Sequence, residues 1–251
     1  MGKLEKLHAA SATDRQARID LAAAFRLAVR MDLHEGVCNH FTLMLPDGER
    51  FLLNAYGLHW SEVSASNLLA LDAKGHVLEG EGGAEKTAFY IHSRIHLANP
   101  RAACVLHTHM PYATALTLLE PGRLEMVEQN ALRFADDIAY DDTYNGLVVD
   151  DAEGDRLARV LGGKRVLFLA NHGVIVVGPS VAEAFDLLYY LERACRLQVL
   201  ARATGLPLRK VRPGVVRETY RMILADTPKY AGAHFAALKR ILDREQPEYA
   251  R

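Results

Sequence analysis

The chain has 251 residues, half of them hydrophobic, enough to bury a sizeable core in one large domain or two small ones. Its 30 Lys and Arg nearly balance 31 Asp and Glu, and this formal net charge of -1 argues against a nucleic-acid or anionic-membrane partner. The three scattered cysteines (Cys38, Cys104, Cys195), the charged N-terminal stretch without an apolar signal region and the lack of any run near the roughly 18 apolar residues of a membrane span predict free thiols and a cytoplasmic protein.

In chain order, residues from about Ser11 to Asp32 have a helical period, with Ser11 and Thr13 as candidate N-caps. Phe41 to Leu45 and Arg50 to Asn54 flank Pro46-Asp47-Gly48 and predict a hairpin. Tyr56-Gly57 follow in a loop, and Ser64 to Asn67 start a short turn or helix. Leu68 to Asp72 and His76 to Glu79 read as two more short strands around Lys74-Gly75. Strands this close lack room for crossover helices, so the sheet should be mainly antiparallel.

After the loop Gly80-Glu81-Gly82-Gly83, a helix is expected from about Ala88 to Leu97. His92 and His96 share one face of it, and the neighbouring Ile91 and Ile95 point to packing rather than metal binding. Asn99-Pro100 ends that helix. Pro111 opens the next one, and Met126 to Phe134 is helical or irregular. Asp136, Asp137, Asp141 and Asp142 flank a short strand, Ile138 to Tyr140, and read as a solvated acidic face.

Asp150 to Leu161 predicts a helix with an acidic first turn, stopped by Gly162-Gly163. Val166 to Leu169 and Val174 to Val177 are strands joined by Asn171-His172-Gly173. Ser180 and Glu183 suit a capping box for a helix reaching about Thr204. Two further helices are expected around residues 213–224 and 229–245. The whole reads as one α/β domain, 1–251, with a core of about 15–205 and a helical C-terminal extension of about 206–251.

The chemistry concentrates in Ala102 to His109, an apolar strand ending in His107-Thr108-His109. Alternate strand residues face the same way, so the two histidines project together. His172, on the later turn, is a candidate third ligand for one divalent metal. The competing reading is three buried, hydrogen-bonded histidines, since a bare His-x-His is weak evidence in a chain with 11 His.

The segments Val105 to His109, Asn171 to Val174 and Glu35 to Thr42 resemble the class II aldolase/adducin superfamily, over roughly residues 15 to 205. The resemblance implies a three-layer fold, a mainly antiparallel sheet with helices on both sides. It also implies a metal held by His107, His109 and His172, zinc suiting three imidazoles best, with Mn²⁺ or another divalent ion as an option. Enzymes of the family use such a metal to stabilise an enediolate or enolate while a carbon–carbon bond breaks. Many are cyclic homotetramers with the active site between subunits, where a C-terminal tyrosine of a neighbour donates a proton, and Tyr220 is a candidate here with Tyr230.

Where the phosphosugar enzymes carry an acidic residue at the start of a helix, this chain has Ala88, and Glu85 is the candidate substitute. Its alternative role is a helix N-terminal charge. At the positions matching the phosphate cradle stand His40, Tyr56-Gly57 and Lys86-Thr87, bulkier and partly cationic. His40, Tyr56, Gly57 and Thr87 are therefore taken as substrate-binding candidates. Lys86 and His40 leave a phosphate possible, but a carboxylated or aromatic substrate fits better, as in the family's decarboxylases. The resemblance thus implies a metal-dependent lyase of aldolase or decarboxylase type acting on a small hydroxy, oxo or carboxylated molecule. The alternatives are a non-catalytic module like the adducin head and a sugar-phosphate 4-epimerase or aldolase.

Overall fold

The computed structural model describes residues 3–148 and 150–251, with side chains from residue 12 onward. Helix α1 (Lys3–Arg30) starts earlier than its polar N-terminal residues suggest. Thr13 therefore lies inside the helix rather than at its cap, and the Ser11 side chain is outside the described residues. Leu21, Phe25 and Ala28, at helical spacing, are fully buried and seat the helix on the sheet.

Strands β1 (His40–Met44) and β2 (Arg50–Asn54) form the expected hairpin. In its turn, the Asp47 carboxylate accepts from the Glu49 and Arg50 amides. A short 3₁₀ turn at Trp60–Glu62 leads to β3 (Leu68–Asp72) and β4 (Val77–Glu79). Helix α2 (Lys86–Ala98) then carries the chain back to the centre of the sheet, where β5 (Cys104–Thr108) pairs with β1. After α3 (Pro111–Thr117) comes a largely irregular stretch with a 3₁₀ turn at Ala131–Phe134, then β6 (Ile138–Asp141). Next follow α4 (Asp151–Leu161), β7 (Val166–Leu169), β8 (Gly173–Gly178) and α5 (Val181–Arg202).

The eight strands form one sheet in the order β4-β3-β2-β1-β5-β8-β7-β6. All its pairs are antiparallel except β6–β7, the pair whose connection is a crossover helix, α4. Helices cover both faces. Phe41, Leu43, Cys104, Leu106, Val174 and Val176 point to the face packed by α1, α3, α5 and the C-terminal helix α6 (Pro213–Glu245). Val105, Leu167, Ile175 and Val177 point to the face packed by α2 and α4. This period-2 division puts His40, Thr42 and His107 on the α2 side, with His40 and His107 directly opposite each other across β1 and β5.

Two further expectations are revised. A single helix, α6 (Pro213–Glu245), replaces the two expected, with Pro228 inside it. An internal proline costs about 3 kcal/mol. Ala231, Phe235 and Leu242 beyond it are buried, and a large apolar side chain contributes about 1.5–3 kcal/mol when buried. Burial of the far half therefore outweighs the break. The acidic residues around β6 form a solvated face only in part, with Asp136 and Asp142 exposed. Asp137 and Asp141 are buried, ion-paired with Arg165 and Arg156 respectively, because β6 sits beside arginines that its own sequence does not contain. Beyond residue 205, Phe235, Leu242 and Tyr249 join the main core, and Tyr249 and Arg251 carbonyls accept from the Ala65 and Ser66 amides.

Candidate metal centre

β5 delivers His107 and, just past its end, His109, and the β7–β8 turn delivers His172. Asn171, at φ 57°, takes the left-handed conformation that Asn tolerates in such a turn. Gly173 is required for a different reason. A β-carbon there would lie 2.6 Å from the Thr108 carbonyl oxygen and 2.7 Å from the His109 ring, so only glycine lets the two segments approach.

The three rings meet with centroids 4.7–5.0 Å apart. One nitrogen from each lies within 4.8 Å of the other two, so a common centre sits within about 3 Å of all three. For His107 and His109, hydrogen bonds fix which nitrogen this is. His107 Nδ1 is 3.0 Å from the Val174 carbonyl oxygen, which can only accept, so Nδ1 carries the proton and Nε2 the lone pair. His109 Nδ1 donates to Glu35 Oε2 at 2.5 Å, leaving Nε2 bare. That Nε2 is buried and has no hydrogen-bond partner. Leaving such an atom unsatisfied costs about 1–3 kcal/mol. Other buried polar atoms also lack partners, but among the described residues only here do three potential metal ligands converge. Burial pushes His172 down to about 4 and His107 well below the ordinary imidazole value. Both stay neutral at neutral pH, the form that binds a metal. The donor set therefore fits a divalent ion.

Glu35 was visible in the sequence only as part of a shared segment. Its carboxylate orients a candidate ligand from the far side, the usual partner of a metal-bound histidine. Asn39, held at φ 71°, accepts from the His109 amide and fixes the backbone at the same place. Neither role has a sequence signal of its own, because both depend on a fold that brings residues about 70 positions apart into contact.

A cavity of about 290 Å³ opens beside the three histidines. Of the expected substrate-binding residues, His40 and Thr87 line it, whereas Tyr56 and Gly57 do not. Tyr56 is exposed on the loop after β2, and Gly57 takes φ 89° there. Glu85 is the N-cap of α2. Its carboxylate accepts from the Ala88 amide at 2.7 Å and from the Thr87 hydroxyl. Those bonds hold its pKa below the usual value although burial opposes them. Tyr220 stands elsewhere, donating to Asp137 at the edge of a larger groove of about 550 Å³ beside α6. The tyrosine this chain brings to its own cavity is Tyr144, in the loop after β6, its ring 6.3 Å from that of His172.

A "Putative aldolase class 2 protein" of Pseudomonas aeruginosa is 32% identical over 245 residues, 95% of this chain and 93% of that protein. Mouse alpha-adducin is 37% identical over 195 residues, 75% of this chain but only 26% of its own length. Among solved structures, an aldolase II superfamily protein from Pseudomonas syringae superposes with a TM-score of 0.90 at 33% identity, covering 95% of this chain and 96% of the other. L-fuculose 1-phosphate aldolase from Glaciozyma antarctica shares the fold, at a TM-score of 0.84 and 24% identity over 96% of this chain and 94% of its own. With residues 19–199 matching the family described as "Class II Aldolase and Adducin N-terminal domain", the chain belongs to that family.

Proposed function

We propose that this protein is a metal-dependent carbon–carbon lyase, of aldolase or decarboxylase type, acting on a small hydroxy, oxo or carboxylated compound. The observation that carries the reading is the buried, partnerless His109 Nε2, with one ring nitrogen each of His107 and His172 converging on it. His107, His109 and His172 would hold the metal, zinc by preference for three imidazoles. Bound there, it would supply a Lewis acid for negative charge developing on a substrate oxygen.

The protein's own residues supply the rest. Val174 and Glu35 keep His107 and His109 in the ligating tautomer. Ile91, Leu147 and Val148 give the cavity an apolar wall. Glu85, kept ionised and committed to capping α2, positions the Thr87 hydroxyl and is poorly suited to act as a base. Tyr144 is the candidate proton donor within the chain. Tyr144 and Leu147 are 54% and 77% exposed at the cavity edge, which supports a homo-oligomer, a tetramer by family resemblance, whose neighbour closes the site.

The similarity to alpha-adducin favours a second reading, an interaction module without catalysis. Metal content separates the two. Purified protein reconstituted with zinc should hold close to one equivalent and release product or CO₂ from hydroxy-acid, oxo-acid or aldol substrates. Retention below about a tenth of an equivalent would remove the lyase reading.

A further inference from the structure

A line of hydrogen bonds leaves the cavity and runs into the interior between β1 and α2. His40 Nδ1 lies 2.8 Å from His92 Nε2, and His92 Nδ1 lies 2.7 Å from Thr42 Oγ1. Thr42 Oγ1 lies 2.7 Å from His96 Nε2, and His96 Nδ1 lies 2.6 Å from the Ala102 carbonyl oxygen. Strand alternation puts His40 and Thr42 on one face, and the helical period puts His92 and His96 opposite them. All four residues are buried.

The direction of the line follows from its far end. A carbonyl oxygen only accepts, so His96 Nδ1 donates to Ala102. The neutral His96 ring then has a bare Nε2, to which the Thr42 hydroxyl donates its single proton. Thr42 must accept from His92 Nδ1–H, His92 Nε2 is bare, and His40 Nδ1–H donates to it. The remaining nitrogen of His40, Nε2, carries a lone pair. An extra proton would place a cation in this buried line, and although the Glu85 carboxylate near His40 favours one, burial outweighs it. Burial accordingly depresses the pKa of all three imidazoles.

We propose that this line is a one-way relay that fixes His40 as the Nδ1–H tautomer, so that its Nε2 accepts a hydrogen bond from a hydroxyl group of the substrate. His92, Thr42 and His96 are positioning residues. Thr87, on the same cavity wall, donates its own proton to Glu85 and is left as a second acceptor. Two acceptors favour a hydroxyl and oppose a phosphate or carboxylate oxygen at this end of the cavity. This reverses the anion-binding role that the sequence alone offers His40. The substrate assignment rests on reading the cavity as the lyase site, whereas the relay does not.

Nitrogen-15 NMR of the full chain labelled at histidine tests both parts, metal-free and zinc-loaded. His40 should carry its proton on Nδ1, by at least about tenfold over the other tautomer, in both states. Thr42→Val should reduce that preference about tenfold or more, and Thr42→Ser should retain it. A wild-type His40 protonated on Nε2, or a folded Thr42→Val protein with an unchanged preference, would overturn the relay. If Thr42→Val does not fold, the wild-type spectrum still decides. In the zinc-loaded protein, glycerol should shift the His40 Nε2 resonance more than inorganic phosphate does. No response to glycerol, or a larger one to phosphate, overturns the hydroxyl preference. So does a zinc-induced shift at His40 as large as that at His107, which would make His40 a ligand. Zinc content measured on the same samples separates the two readings, because the expected tautomer without bound zinc keeps the relay and removes the lyase.

Discussion

Two groups of histidines share the interior between the central strands and α2, and they differ in what their nitrogens touch. His92 and His96 have both ring nitrogens hydrogen-bonded, within a line that ends on a backbone carbonyl. His107 and His109 have one nitrogen each tied to a fixed acceptor and the other left bare toward a common point. Burial is similar in kind, so burial does not tell ligand from scaffold. Hydrogen-bond saturation does. A saturated histidine is held in one tautomer by the protein alone, whereas a half-saturated one is held ready for something the protein does not supply.

The largest effect expected from this difference is on metal binding. His109→Ala should lower zinc affinity at least a hundredfold, measured by competition with a chromogenic chelator, while His96→Ala should leave affinity within a few-fold and cost folding stability instead. Equal zinc loss in both variants would erase the distinction between the groups.

Next comes acid sensitivity of the metal-free protein. Burial lowers His96 to about 4, whereas its unfolded value is 6.5. The unfolded chain then binds the proton more readily, so stability is full above pH 6.5 and falls as pH drops toward 4. The difference is about 3 kcal/mol from this group alone. Denaturant midpoints at pH 7 and pH 4.5 measure it, and a flat profile would mean that the relay is not buried as described.

Glu35→Gln probes the half-saturated group more gently. Exchanging the carboxylate on His109 Nδ1 for a neutral amide should weaken zinc binding about 10- to 100-fold without changing the fold. The smallest effect belongs to a cap far from either group. Asp150 accepts from the Glu153 amide at the start of α4, and Asp150→Ala should cost about 1 kcal/mol with zinc affinity unchanged. Any metal effect there would show that the centre responds to general destabilisation.

Much of the fold was legible in local patterns. The hairpin around Asp47-Gly48, the apolar run of β5 and the capped starts of α4 and α5 all stand where turn and cap chemistry put them. Thr13 misled because a cap is worth only about 1 kcal/mol, and the break expected before residue 229 fails because packing of the far half of α6 offsets the roughly 3 kcal/mol of an internal proline. Asp137 and Asp141 misled because charge patterning cannot see Arg165 and Arg156 arriving from other elements.

By itself the sequence determined the order of strands and helices, the burial period of each and the presence of three histidines at strand ends, since these depend on neighbours a few residues away. Only the tertiary structure decided that Glu35 orients His109, that Tyr144 rather than Tyr220 stands at the cavity of this chain, and that His40 presents a lone pair rather than a charge. Those outcomes depend on donors and acceptors meeting across long stretches of chain, and the direction of a hydrogen bond is fixed only by what lies at its other end.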